Sequence, residues 1–185
     1  MKFLGLKKIE NILLTTQGGK LVVIGAIPSL GKTSMALNLL KEITMEQSIS
    51  SILFSLEMPK SAVEKRMTEI GFIGNDHFKI FDDSKITFEE ILNVVDNEVK
   101  ESMVKFCFID YFNLLPGNHS EIVKNLKALA VKLNIIIIVL IQMKSIKPEL
   151  SHYEIVSNDS DLIIALNKNN DQKETELLIL KNIIS

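Results

Sequence analysis

The stretch IGAIPSLGKTSMALNLL, residues 24–40, decides the fold class of this chain. It begins in the apolar run LVVIG, passes through a short turn with a proline and a glycine, and continues with the helical spacing of SMALNLLKEI. The pattern [AG]-x4-G-K-[ST] is filled by Ala26, Gly31, Lys32 and Thr33. Gly25 stands one place too early for the stricter form that begins with glycine. A strand, this pattern and a helix in succession are typical of a phosphate-binding P-loop.

The chemistry of a P-loop gives each of these residues an expected role. Backbone N–H groups of the loop and of the first helical turn point at the phosphates, where the helix dipole also favours negative charge. Lys32 is expected to reach the β and γ phosphates of a nucleotide, Thr33 to hold Mg²⁺, and Gly31 to permit close approach of the backbone. The predicted nucleotide-binding residues are Ala26, Pro28, Ser29, Leu30, Gly31, Lys32, Thr33 and Ser34.

Around this stretch, short apolar and β-branched runs alternate with segments of helical period. Strands are predicted near 20–25, 51–56, 78–81, 104–109 and 135–141, and helices near 32–46, 59–71, 88–100 and 119–133. Thr87 and Glu90 form a capping box before the third helix, and Asn118 suits the cap of the fourth. The later runs DLIIALN and TELLILK look like a closing pair of strands. This alternation predicts an α/β fold with a mostly parallel sheet and helices on both faces.

Composition limits the classes of protein that this chain can belong to. With 185 residues, 46% apolar and 24% charged, a single globular domain over residues 1–185 is expected. The longest apolar run, at 135–141, is far shorter than the roughly 20 residues of a membrane span. The N-terminus has no pattern of a secretory signal, and the single cysteine, Cys107, favours a reducing cytoplasm. A net charge of -2 gives no basic excess for nucleic acid, so any such contact needs a local patch.

Three polar residues come directly after apolar strands, where open α/β sheets place ligand-facing groups. Asp110 follows FCFI and would support Mg²⁺, although a turn would also suit an aspartate there. Glu57 follows ILFSL and would polarise an attacking water, or would be a solvated residue at a helix start. Gln142 follows IIIIVLI and would touch the γ phosphate, or would only end the strand.

Five segments, taken in order, resemble the motor domain of the DnaB-type replicative DNA helicase. They are GAIPSLGKTSMALNLL, ILFSLEMPKSAVEKRM, FCFIDYFNLL, IVKNLKALAVKLNIIIIVLIQ and SDLIIAL. The resemblance runs from about Gly19 onward and implies a RecA-like ATPase core. It also implies hexameric rings, ATP bound between subunits, movement along single-stranded DNA, and no membrane. By the same resemblance, Lys32 and Thr33 are the Walker A pair and Asp110 is the Walker B aspartate. Glu57 is then the catalytic glutamate, and Gln142 is the sensor glutamine.

The chain departs from that family at the residues supplied by a neighbouring subunit. In the family a Lys and an Arg reach into the next site from a pattern like K-x-R-N-G. Here the corresponding stretch is LKNIIS, in which Lys181 matches the lysine and Ile183 stands where arginine is expected. The one arginine of the chain, Arg66, lies in the helix after Glu57. An arginine finger is worth about 10³ to 10⁵ in rate, so we expect nucleotide binding with slow hydrolysis.

DNA binding has little support in the sequence, because the loop after Gln142 is short and offers only Lys144 and Lys147 as basic residues. The family's helical N-terminal domain and linker have no counterpart in the 185 residues. Three hypotheses follow. The chain is an ATP-binding and ATP-hydrolysing helicase motor domain, a nucleotide-binding module that binds or regulates a full-length helicase, or a piece of a longer protein.

Overall fold

A computed structural model describes residues 2–72, 76–143, 158–168 and 174–184. Within these ranges the chain forms one sheet in the strand order β1-β8-β7-β2-β6-β5-β3-β4. The strands are β1 (Lys2–Leu4), β2 (Lys20–Ala26), β3 (Ser51–Ser55), β4 (Phe78–Phe81), β5 (Phe106–Asp110), β6 (Ile136–Gln142), β7 (Leu162–Lys168) and β8 (Glu174–Asn182). Neighbouring strands are parallel except β7 and β8, which are antiparallel.

Helices cover both faces of this sheet and bury a separate apolar cluster on each. The helices are α1 (Leu6–Thr15), α2 (Lys32–Lys41), α3 (Lys60–Glu69), α4 (Phe88–Ser102) and α5 (His119–Leu133). Apolar residues of α4 and α5 pack on one face, and those of α1, α2 and α3 pack on the other. No helix in the described ranges has both the length and the apolar character needed to cross a bilayer. The predicted α/β class, with a mostly parallel sheet, is confirmed.

Most of the predicted helices and strands are present, and the two predicted helix caps are formed. The Thr87 hydroxyl accepts a hydrogen bond from the Glu90 N–H at 3.3 Å, and the Glu90 carboxylate accepts one from the Thr87 N–H at 2.7 Å. Asn118 caps α5 by accepting from the Ser120 N–H at 3.1 Å. The helix predicted over 32–46 is α-helical only to Lys41, and a π-helical turn continues it. The closing pair of strands is β7 and β8.

The N-terminal strand and helix are additions to the predicted set. Gly5, at φ 92°, turns the chain from β1 into α1, and Ile9 and Leu13 of that helix are buried. Charged residues interrupt the apolar ones at helical spacing, which makes α1 amphipathic. β1 has three residues and pairs with β8, close to the other end of the chain. So short a strand carries no periodic signal of its own.

A buried ion pair joins three elements at the edge of the sheet opposite the P-loop. Asp161 is 5% exposed, and its Oδ2 accepts a hydrogen bond from the Leu21 N–H at 2.8 Å. The Lys127 ammonium of α5 lies 2.8 and 2.7 Å from the two oxygens of the same carboxylate. This one side chain therefore connects the start of β7 to β2 and to α5.

Asp161→Ala is expected to lower the free energy of unfolding by about 3 kcal/mol, because it leaves the buried Leu21 N–H without its acceptor and the Lys127 ammonium with only the Gly19 carbonyl at 3.4 Å. Urea denaturation of the two proteins measures the loss. Asp96→Ala is the matched control, since that carboxylate faces the exposed ammonium groups of Lys100 and Lys132. The free energy of unfolding should fall much less in Asp96→Ala, because exposed ion pairs contribute little to stability. Equal losses in the two variants would contradict a structural role for the buried pair.

Candidate functional site

The P-loop leaves β2 at Ala26 and enters α2 at Lys32 through two residues in the left-handed region. Ser29 has φ 67° and Gly31 has φ 85°. Glycine adopts this conformation at no steric cost, and such turns direct successive N–H groups to one side as an anion nest. The Gly31 carbonyl already accepts from the Met35 N–H at 2.8 Å, so the helix begins directly at the loop. The first helical N–H groups therefore have no partner within the helix.

This loop forms one wall of a cleft of about 550 Å³. The lining residues are Ala26, Ile27, Pro28, Ser29, Leu30, Gly31, Lys32, Thr33, Ser34, Glu57, Met58, Arg66 and Gln142. Every residue predicted to bind nucleotide is in this set, together with the predicted water-activating and sensor residues. The structure thus gathers residues from four separate parts of the sequence around one cavity.

Parallel register explains why these residues meet. Asp110 pairs with Ser55 across β3 and β5, and Gln142 pairs with Ala26 across β2 and β6. The carboxyl ends of β2, β3, β5 and β6 therefore lie along one edge of the sheet. Glu57 follows two residues after β3, and its side chain is exposed at that edge. The polar residues that follow apolar strands in the sequence are neighbours for this reason.

Asp110 is the buried carboxylate of the site, with 4% of its surface exposed. Its Oδ2 accepts a hydrogen bond from the Thr33 hydroxyl at 2.7 Å. The other oxygen, Oδ1, is buried and has no hydrogen-bond partner among the described residues. Buried polar atoms are nearly always satisfied, and a carboxylate oxygen beside a threonine hydroxyl suits a hard cation such as Mg²⁺. These two residues fit the metal that accompanies a nucleoside triphosphate.

Lys32 lies over the same carboxylate and forms an ion pair with it that is longer than a hydrogen bond. Its Nζ is 3.7 Å from Asp110 Oδ1 and 4.2 Å from the centroid of the Tyr111 ring. The side chain is 13% exposed, and this burial lowers the pKa of the Lys32 ammonium below its ordinary value. The negative charges of Asp110 and Glu57 oppose the shift. A partly dehydrated cation at the mouth of α2 interacts more strongly with phosphate than a solvated one would.

Gln142 is held through its backbone while its side chain stays exposed. Its N–H donates to Asn113 Oδ1 at 3.0 Å, and the N–H of the next residue, Met143, donates to the Ala26 carbonyl at 2.8 Å. A Cβ added at Gly25 would lie 2.1 Å from the Met143 sulfur. The glycine that stands one place too early in the P-loop pattern therefore has a packing role. It leaves room for the residue that follows the sensor position.

Five residues of the site were not predicted from the sequence, and two of them, Ile27 and Met58, line the cleft next to predicted residues. Arg66 of α3 lines the cleft, whereas sequence reasoning placed it only in the helix after Glu57. Tyr111 lies under the Lys32 ammonium, and Asn113 bonds to the backbone of Gln142. The sole sequence signal for Tyr111 and Asn113 is that they follow Asp110 closely.

The residues at the expected arginine-finger position lie apart from this chain's own cleft. Lys181 Nζ donates to the Ser160 carbonyl at 2.6 Å. Ile183 follows β8 and is 60% exposed. Neither residue is part of the cleft lining. Lys144 and Lys147, the only basic residues of the loop after Gln142, lie outside the described residues.

Comparison with known proteins shows which proteins this chain is similar to. The family model "DnaB-like helicase C terminal domain" matches residues 4–72. The replicative DNA helicase DnaB of Treponema pallidum (strain Nichols) is 24% identical over 96% of this chain and 50% of its own length. This chain is similar to DnaB-type replicative helicases over nearly its whole length. The predicted resemblance is confirmed, and the chain spans about half the length of the curated relatives that it matches.

Solved structures at low sequence identity share the fold. A DnaB-like replicative helicase, studied with its interactions with primase, superimposes with a TM-score of 0.76 at 22% identity, over 96% of this chain and 57% of that one. A KaiC-like protein from Pyrococcus horikoshii OT3 gives 0.72 at 18% identity, over 90% and 80%. At these identities the likeness shows the RecA-like fold alone. The chemistry of this chain has to be argued from its own residues.

Proposed function

We propose that this chain is an ATP-binding and ATP-hydrolysing motor domain that serves a replicative DNA helicase. The observation that carries the proposal is the contact between the Thr33 hydroxyl and Asp110 at the mouth of α2. It leaves a second, buried carboxylate oxygen without a hydrogen-bond partner among the described residues. A helix start of this kind, with a threonine and a carboxylate beside it, is suited to a triphosphate and its cation.

The loop and α2 bind the nucleotide in this proposal. Amides of the loop from Ala26 to Ser34 surround the phosphates, and the Lys32 ammonium reaches the β and γ phosphates. Thr33 and Asp110 would hold Mg²⁺, which when bound neutralises phosphate charge during transfer. No covalent intermediate is needed, because phosphoryl transfer to water depends on positioning and on charge stabilisation.

The opposite wall of the cleft supplies the groups that act on the γ phosphate. Glu57 is exposed in the cleft and orients or deprotonates the attacking water. The Gln142 amide senses the phosphate and its loss. Arg66 brings a permanent positive charge to the same cavity from within the chain. We propose that this arginine offsets part of the charge that an arginine finger neutralises elsewhere, since Ile183 occupies the finger position.

DNA unwinding requires more than this site. The relatives named above are replicative DNA helicases of about twice the matched length, and the chain has a net charge of -2. We therefore propose that the domain contributes ATP turnover to DNA replication in the cytoplasm as part of a larger assembly. A hexameric ring acting on single-stranded DNA is the form that the resemblance implies.

Nucleotide binding is tested by thermal unfolding with and without ATP and Mg²⁺. At a ligand concentration 100 times the Kd, binding to the folded state adds about 2.7 kcal/mol and raises the Tm by about 5 to 10 °C. Lys32→Ala should abolish this shift, because the ammonium that meets the phosphates is gone. Lys124→Ala, an exposed lysine on α5, is the matched control and should keep it.

Thermal unfolding and an assay of phosphate release together separate the hypotheses. An unchanged Tm of the native chain at saturating ATP and Mg²⁺ would overturn the proposal. A normal shift without any phosphate release would favour a nucleotide-binding module that regulates another helicase.

A further inference from the structure

The Lys32 ammonium lies between two groups that attract it, a carboxylate and an aromatic ring. Its distance to Asp110 Oδ1 is 3.7 Å, which is longer than a hydrogen bond. Its distance to the centre of the Tyr111 ring is 4.2 Å, well within the range of a cation–π contact. The ammonium thus lies against the ring face, while the carboxylate oxygen nearest to it stays without a hydrogen-bond partner among the described residues.

We propose that Tyr111 is a positioning residue that keeps Lys32 from closing onto Asp110. Because the lysine side chain is only 13% exposed, its charge needs a partner, and the buried carboxylate next to it is the alternative. If the present 3.7 Å ion pair shortened to a hydrogen bond, it would engage both the ammonium proposed to bind the phosphates and the oxygen proposed to bind Mg²⁺. The ring attracts the ammonium without a hydrogen bond, so the ammonium N–H groups stay available to phosphate and the Asp110 oxygen stays available to Mg²⁺. This inference rests on the proposed nucleotide binding and adds one residue to it.

The position of Tyr111 makes its ring a fixed surface. It follows Asp110 at the end of β5, and its side chain packs against the apolar cluster beneath α1, α2 and α3. No hydrogen bond of its hydroxyl occurs within the described part of the chain. The aromatic face therefore supplies the contact, and phenylalanine should replace tyrosine, whereas leucine or methionine should fill the space without attracting the cation.

The contact itself has a spectroscopic signature. Ring currents shift protons above an aromatic face upfield, so the Lys32 Hε signal of ¹³C-lysine-labelled protein should lie upfield of the other lysines. Lys32→Ala identifies the signal by removing it. Tyr111→Phe should keep the upfield shift, and both Tyr111→Leu and Tyr111→Met should lose it. A shift that survives in the leucine and methionine variants would overturn the inference, whatever the nucleotide result.

The functional consequence is measured as the Kd for ATP with Mg²⁺ by calorimetry. Tyr111→Leu and Tyr111→Met should weaken binding by about 3- to 30-fold, the range of a cation–π contact that is partly dehydrated. Tyr111→Phe should stay within about twofold of the native chain. Circular dichroism melting of each variant shows whether the compared proteins are folded. If Tyr111→Leu does not fold, Tyr111→Met takes its place in the comparison.

Different results bear on different claims. Native affinity in the leucine and methionine variants, or an equal loss in the phenylalanine variant, would overturn the role of the ring while nucleotide binding stands. Failure of the native chain to bind ATP would overturn the proposed function and this inference with it.

Discussion

Glu57→Gln is expected to lower the rate of ATP hydrolysis by about 10²- to 10⁴-fold while ATP and Mg²⁺ still bind. The amide has nearly the shape of the carboxylate but cannot accept a proton from the attacking water. Glu57 is exposed at the carboxyl edge of the sheet and lines the cleft with Lys32 and Gln142. It therefore faces the cavity in which we propose that water attacks the γ phosphate. Single-turnover phosphate release, with and without single-stranded DNA, measures the rate.

The matched control is Glu64→Gln, the same change on the neighbouring helix α3. Its carboxylate is 55% exposed, lies beside Lys60 and is not part of the cleft. Turnover should be unchanged in this variant, and binding should be native in both. If Glu57→Gln hydrolyses ATP at the native rate, water is activated by another group and the catalytic assignment is wrong. If it fails to bind ATP, the glutamate belongs to the binding site instead.

The absolute rate of the native chain should be low, for an electrostatic reason. Charge develops on the γ-phosphate oxygens during transfer, and a neighbouring arginine usually neutralises it. The aliphatic side chain of Ile183 cannot do so, and Lys181 already donates to the Ser160 carbonyl of its own subunit. Arg66 adds a permanent cation to the cleft wall beside the Lys32 ammonium. Its exposed position on α3 leaves it free to move towards bound phosphate, although solvent screens its charge more than it would screen a buried finger.

Local patterns predicted the parts of the site that depend on chain direction alone. Strand, loop and helix follow one another in the P-loop, and Asp110, Glu57 and Gln142 each come after an apolar run. Because parallel strands point the same way, their carboxyl ends meet whatever the exact strand order. The residues predicted to bind nucleotide line one cleft, as this logic expects, while their roles stay predictions.

Contacts that depend on the direction in which a side chain points could not be predicted from local sequence patterns. The spacing of α3 makes Met67 buried and Arg66 exposed, but it does not say that the exposed side borders the cleft. Asp161 bonds to the Leu21 N–H across 140 residues of sequence, and nothing near that aspartate indicates a partner. The Tyr111 ring reaches Lys32 only because β5 ends beside α2. Such contacts depend on the packed structure, which local periodicity does not contain.

The close approach of β2 and α5 provides the prediction with the largest expected effect on stability. Gly19 lies just before β2, and a Cβ there would come 1.8 Å from the Ala130 carbonyl oxygen and 2.2 Å from its carbon. Both atoms belong to the backbone of α5, so no side chain can rotate away. Gly19→Ala must therefore move the helix or the strand, and we expect a loss of about 3 kcal/mol or more. For a chain of this size the Tm should fall by about 6 to 12 °C.

Gly18→Ala is the matched control one residue away. Nothing lies within 4 Å of a Cβ at that position, although its φ of +75° is unfavourable for alanine. The expected loss is about 1 kcal/mol, from backbone strain alone. Losses of equal size in the two variants would show that α5 does not approach β2 as closely as described.

Gly19 and the P-loop lie at opposite ends of β2, so a change in stability can be measured separately from a change in nucleotide binding. Gly19 precedes the first residue of the strand, whereas the P-loop leaves the strand at Ala26. Gly19→Ala protein that is kept folded at low temperature should therefore bind ATP and Mg²⁺ with a Kd close to the native one. Calorimetry well below its Tm tests this. A weakened Kd in folded protein would mean that packing between α5 and β2 controls the shape of the phosphate loop, through the strand that carries it.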